Sequence, residues 1–224
     1  SFPTRRSSDY KKKLISLAKT NADYLLRELH VQRAAKENAL PRGIAALQRD
    51  LRLSSPPRRI ECFDNSHIQG TDYVSSMVCF IDGKPKKNDY RRFKLKTVQG
   101  NDDFAAMREV VERRYSRVLA EKTEKPDLII IDGGKGQLSA AVEVLTILGL
   151  YPQIPVIGLA KRLEEIFLPF QSESVMLPKT STSLRLIQSL RDEAHRFAIE
   201  YHRTLRDKRT FQTELTGIDG IGEK

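Results

Sequence analysis

Apolar positions change period along this chain, and each change marks an element. From Tyr10 to about Glu37, Leu14, Leu17, Ala18, Ala22, Leu25 and Leu29 recur three and four apart among Lys, Arg, Glu and Gln. That spacing predicts a helix. Pro41 opens a shorter one over 42–51, and Ser54 to Pro57 read as a linker. The pattern then shortens to strands at 60–63, 73–81 and 89–98, the second closed by the hairpin signal Asp82-Gly83. Asp102 is positioned to cap a helix to about Glu121, with Ala106, Val110, Val111, Tyr115 and Val118 as its stripe. A fourth strand, 128–131, precedes a helix over 137–148 that Gly149 stops. A fifth strand, 155–160, a small hairpin from 166–169 and 175–177, and a helix from Thr182 or Ser183 to about Lys208 complete the series.

The order is α/β. Three strands joined by short turns are expected to be antiparallel, and the later strands, which alternate with helices, to be parallel. A mixed sheet of this order flanked by helices resembles the ribonuclease H-like fold, here with an N-terminal helical extension. The expected organisation is a polar leader over 1–9, non-native or disordered, and a helical extension and linker over 10–56. The ribonuclease H-like domain follows over 57–209, and 210–224 begin a further motif.

Charge adds a partner class. The 224 residues are 39% hydrophobic and 30% charged, with a net charge of +10. A basic domain of this kind has a polyanion as its natural partner, although simple solubility gives the same balance. Cys62 and Cys79 are too few for a zinc cluster and sit in apolar strands, as reduced core residues of a cytoplasmic protein do. No apolar run approaches the ~20 residues of a membrane span, and no signal peptide is visible, so no membrane partner is expected.

Two strands end in acids. Residues 58–63 deliver Asp64, and Ile129 to Ile131 deliver Asp132. In a sheet of this order the first and fourth strands are central neighbours, so both carboxylates emerge at one sheet end. Adjacent carboxylates repel unless a cation intervenes, and Mg²⁺ or Mn²⁺ prefers such oxygen ligands. Asp before Gly is also ordinary turn chemistry. Asp103, at the start of the third helix, is a third candidate acid, with helix capping as the competing reason for its place. His195 lies beside the buried stripe of the last helix. It reads as a metal ligand, as a proton carrier, or as a surface histidine, with Asp192, Glu193 and His67 as alternatives.

Gly133 to Gln137 fails both the P-loop and the dinucleotide-loop spacing. It is either a tight strand-to-helix turn or a small-residue turn that brings Lys135 to a phosphate. Lys84, Lys86, Lys87, Arg91, Arg92, Lys94 and Lys96 crowd one hairpin, and Arg203, Arg206, Lys208 and Arg209 crowd the end of the last helix. Phosphate contact and the guarding of an edge strand both account for such clusters. Residues 215–222 carry the hairpin of a helix-hairpin-helix motif, in which Gly220 and Gly222 let backbone N–H groups face a DNA phosphate.

The stretches IECFDNSHIQG, YRRFKL, GNDDFAAM, LIIIDGGKGQL and RDEAHRFAI occur in this order. Together they resemble the C-terminal half of the UvrC family, the incision subunit of bacterial nucleotide excision repair, over about Tyr10 to Lys224. The resemblance implies a ribonuclease H-like endonuclease that makes the 5′ incision beside a lesion in damaged double-stranded DNA. It places the catalytic acids on Asp64, Asp103 and Asp132 and the family's histidine on His195. It also implies UvrB as a partner, mainly through segments outside this chain, and a tandem helix-hairpin-helix module that begins at 215–222. The expected site has Asp64, Asp132 and His195 at the metal, with Asp103 orienting it. Arg91, Arg92, Lys135, Lys208, Gly220 and Gly222 are the expected DNA contacts. The rival readings are an inactive DNA-binding scaffold and a ribonuclease H-like nuclease acting on junctions or RNA.

Overall fold

A computed structural model of the chain describes residues 5–67, 73–95, 102–160 and 165–216. Two compact units divide it at Leu40. The first contains α1 (Arg5–Asn38), which begins five residues before the expected start. Every described side chain along it from Asp9 to Gln32 is exposed.

The second unit starts with α2 (Arg42–Asp50) and contains the sheet. Its strands are β1 (Arg59–His67), β2 (Tyr73–Ile81), β3 (Lys84–Pro85), β4 (Arg91–Lys94), β5 (Leu128–Asp132), β6 (Val156–Leu159), β7 (Glu165–Phe167) and β8 (Ser174–Met176). Its remaining helices are α3 (Asp103–Glu121), α4 (Lys135–Ile147) and α5 (Thr182–Thr216). The described strands form one sheet in the order β3-β2-β1-β5-β6-β7-β8, with β4 also paired to β2. β1 runs antiparallel to β2 and parallel to β5, and β5 is parallel to β6. The expected mixed, ribonuclease H-like order is present.

Local chemistry explains most boundaries. Asp82 (φ 51°) and Gly83 (φ 77°) both take positive φ, the requirement of a two-residue type I′ hairpin between β2 and β3. The Asp102 carboxylate accepts from the Phe104 and Ala105 backbone N–H groups and caps α3. Gly149 (φ 68°) follows α4 in the left-handed conformation that ends helices. The third expected strand, 89–98, starts two residues late, at Arg91, and a short strand that was not expected precedes it. Lys84–Pro85 pair with β2, Lys87–Asp89 form a 3₁₀ turn, and pairing resumes only at Arg91. Asp89 leaves the strand path to accept from Arg59 Nη1 at 2.9 Å. Residues 96–98 of that expected strand lie outside the described residues.

Alternation along β1 sorts two layers. Phe63 joins Ile129 and Ile131 in a core with Met107, Val110, Val111 and Tyr115 of α3 and Leu138, Ala141 and Leu145 of α4. The opposite face meets α5, whose Leu184, Ile187, Leu190, Ala194 and Ala198 are buried, and α2 packs on α5 through Ile44 and Leu47. Ser181 and Ser183, at the start of α5, both donate to Asp50 at the end of α2. Cys62 and Cys79 are free and buried, as expected. α5 continues to Thr216, past the expected end near Lys208.

Candidate active site

β1 and β5 place the two acids. Their parallel register pairs Ile60 with Leu128 and ends on Asp64 opposite Asp132. Register partners on adjacent strands present their side chains to the same face, with backbones about 4.8 Å apart. Asp64 is 1% exposed and Asp132 5%, so the two carboxylates lie side by side almost out of solvent. Both belong to the face that meets α5, since the next β2 residue in that row, Ser76, donates to the α5 carbonyl of Ala194 at 3.0 Å.

α5 delivers the histidine. His195 Nδ1 lies 3.2 Å from Asp64 Oδ2, and its side chain remains 61% exposed. One helical turn earlier, Arg191 brings a positive charge to the same region. Burial pushes the Cys62 thiol well up, Asp132 and Asp64 push it further, and Arg191 opposes them. Arg191 was legible only as a flank of His195; its i, i+4 spacing from that residue was the available signal.

Asp103 arrives from the other layer. It is the first residue of α3, and its backbone carbonyl accepts from Asn65 Nδ2 at 3.3 Å, which sets it beside the residue after Asp64. Phe104, next in α3, lies against Gly136 of α4, where a Cβ would stand 2.4 Å from a ring carbon. Three consecutive links, Asp64–Asn65, Asn65–Asp103 and Phe104–Gly136, therefore tie the start of α3 to β1 beside Asp64 and to the first turn of α4. The sequence reading missed Asn65, which is 7% exposed and carried no signal beyond adjacency to Asp64.

The expected DNA contacts separate. Arg92 pairs in register with Ser76 and shares the acid face, whereas its neighbour Arg91 pairs with Met77 and takes the opposite one. Arg91 Nη1 donates to the carbonyls of Asn88 and Tyr90. Lys135 opens α4, and its Nζ donates to the Ser172 carbonyl at 2.6 Å and sits 5.3 Å from the Phe167 ring centroid. The turn before it is tight: the Gln137 side chain folds over Gly133, where a Cβ would collide with it. The side chains of His67, Lys96, Arg206, Lys208 and Arg209, and Gly220 and Gly222, lie outside the described residues.

The donor set fits a hard divalent cation. Among the described residues no three His, Cys, Asp or Glu side chains form a ready metal cage. Mg²⁺ does not ask for one, since it is usually held by one or two carboxylates, with waters and substrate phosphates completing the shell. Asp64 and Asp132 are the pair that could hold such a cation.

Asp132 at the carboxyl end of β5 and Asp64 opposite it within β1, which runs on to His67 and past its expected end at residue 63, beneath a helix that brings a histidine to one of them, define a ribonuclease H-like α/β domain. The family described as UvrC RNAse H endonuclease domain matches residues 48–199, and the chain belongs to that family. It is 61% identical to the UvrABC system protein C of Chlorobium phaeobacteroides over 94% of this chain and 33% of that protein. It is 53% identical to the protein of the same name from Porphyromonas gingivalis, over 96% of this chain and 36% of that protein. The chain thus spans about a third of the length of these relatives. Among solved structures it is similar to Ciona intestinalis endonuclease V in complex with inosine-containing DNA. That match has 17% identity, covers 57% of each chain and has a TM-score of 0.35.

Proposed function

We propose that this chain is the nuclease part of an excinuclease and hydrolyses one phosphodiester bond on the 5′ side of a lesion in double-stranded DNA, in a bacterial cytoplasm. The observation that carries the reading is the register pairing of Asp64 with Asp132, with His195 hydrogen-bonded to Asp64. Membership of the UvrC endonuclease family supplies the substrate class.

Asp64 and Asp132 would hold Mg²⁺ or Mn²⁺, which when bound supplies Lewis-acid stabilisation of charge on the phosphate. The chain's own part is orientation and proton handling. Water adds to phosphorus, the bond to the leaving sugar oxygen breaks, and one proton must leave the water while another reaches that oxygen. His195 would carry one of these transfers, a role supported by its contact with Asp64 and its openness to solvent. Asp103 orients the groups around the acid pair from the α3 side. The basic surface holds the backbone phosphates, and UvrB is the partner that presents the damaged strand.

The test is strand cleavage of a duplex carrying one bulky adduct, with UvrB present, in Mg²⁺, in Mn²⁺ and in chelator. A cut on the 5′ side in either metal and none in chelator is the expected result. Asp132→Asn should reduce it at least a thousandfold, on the scale of losing a principal catalytic group, with circular dichroism and DNA affinity unchanged. Cleavage by Asp132→Asn at the wild-type rate defeats the reading, as does preferential cutting of a junction or an RNA–DNA hybrid.

A further inference from the structure

The row that pairs Asp132 with Asp64 continues across the sheet. Asp64 faces Ser76 of β2, and Ser76 faces Arg92 of β4. All four side chains share the α5 face, and two strand spacings, about 10 Å, separate the backbones of Asp64 and Arg92.

α5 fixes the guanidinium at that distance. Arg92 Cζ lies 4.3 Å from the Phe197 ring centroid and 5.1 Å from that of Tyr201. Tyr90 meets Phe197 edge-on at 5.1 Å, and its hydroxyl donates to Glu193 at 3.1 Å, so the bracket is itself braced. A guanidinium held against aromatic rings can still offer N–H groups of its planar fork to an anion. The Glu200 carboxylate stands 3.9 Å away, half exposed and also engaged by Arg196, and such a pair is weak. Phe197 is two residues from His195, so one helix segment positions both the histidine on Asp64 and the platform beneath Arg92.

We propose that Arg92, bracketed by Phe197 and Tyr201, holds a backbone phosphate of the strand being cut, a few nucleotides from the scissile bond. It thereby sets which phosphate lies over Asp64 and Asp132. The identity of the strand rests on the nuclease reading above; the anion site rests on the bracket. Arg92 is a positioning residue, since it touches no reacting atom. Arg91, one position along β4, cannot substitute for it, because it faces the other layer.

The experiment measures duplex binding against salt in the Asp132→Asn background, where DNA is held and not cut. Arg92→Ala should weaken binding about tenfold and lower the log–log salt slope by about 0.9, the signature of one lost phosphate contact. Arg92→Lys should recover the slope and not the full affinity, because the charge returns without the stacked fork. Arg117→Ala, an equal charge change on α3, should leave the slope unchanged. In the cleaving protein, Arg92→Ala should raise KM about tenfold with kcat within twofold and spread the cut over neighbouring phosphates. An unchanged slope for Arg92→Ala, or an equal drop for Arg117→Ala, overturns the assignment. The binding measurement needs no cleavage, so it stands or falls apart from the nuclease reading.

Discussion

Glu61 is a carboxylate with no solvent exposure near the start of β1. Arg114 meets it with Nε at 3.2 Å and Nη2 at 2.5 Å, the Tyr115 hydroxyl donates at 2.9 Å, and Arg59 Nη2 stands at 3.6 Å. Burial raises the Tyr115 hydroxyl well above its ordinary pKa, and Glu61 adds to the effect, so that hydroxyl stays a donor. Removing one side of such a pair strands a buried charge. Arg114→Met should therefore cost about 3–5 kcal/mol in urea unfolding, and adding Glu61→Gln should return much of the loss. A double mutant no more stable than Arg114→Met would show that packing, not charge, is responsible. The buried carboxylate in this network therefore holds α3 to the sheet, while the buried carboxylate at Asp64 meets the His195 imidazole and stands beside a second acid in the same row.

At the scale of elements, α3 is the part that must stop in the right place. Its first turn carries Asp103, its cap is Asp102, and Asn65 holds its first carbonyl. Asp102→Ala should cost about 1 kcal/mol of stability. It should also lower lesion-directed nicking about tenfold, more than that loss of folded protein explains. Asp102→Ser, which still accepts from the helix N–H groups, should restore both. Nicking that stays at the wild-type rate in Asp102→Ala would detach the start of α3 from the reaction. Much at this scale was readable beforehand. The Asp102 cap, the Asp82-Gly83 turn and the Gly149 stop are local, and local backbone chemistry decides them. The late start of the third expected strand was not readable, because Asp89 sits in a 3₁₀ turn and meets Arg59, thirty residues earlier in the chain.

Across the whole molecule, carboxylates that tie one element to another set the acid response. The Asp50 carboxyl is held below its usual value, first by the Ser183 hydroxyl and also by Ser181, and joins α2 to α5. Glu193 is also lowered, first by the Arg196 guanidinium and also by the Tyr90 hydroxyl, and joins α5 to the strand edge. Groups with a depressed folded pKa stabilise the protein above their unfolded value of about 4 and lose that contribution as pH falls through the folded one. Melting temperature should hold above pH ~5 and fall below pH ~4. The double variant Asp50→Asn, Glu193→Gln should melt lower at neutral pH and show a shallower acid decline. A decline of wild-type slope would assign the acid sensitivity to other carboxylates.

The sequence by itself determined the element types, the turns and caps that bound them, and the presence of an acid after an apolar run in two strands, although β1 runs on past Asp64 to His67. Each of these follows from interactions within a few residues. Only the tertiary structure decided that Asp64 stands opposite Asp132, that Asn65 reaches Asp103, and that Arg92 shares the acid face while Arg91 does not. Register is the reason. Strand side chains alternate with a period of two, so a slip of one residue would turn either acid to the other layer. Hydrogen bonds between strands distant in sequence fix that choice, and no local pattern contains it.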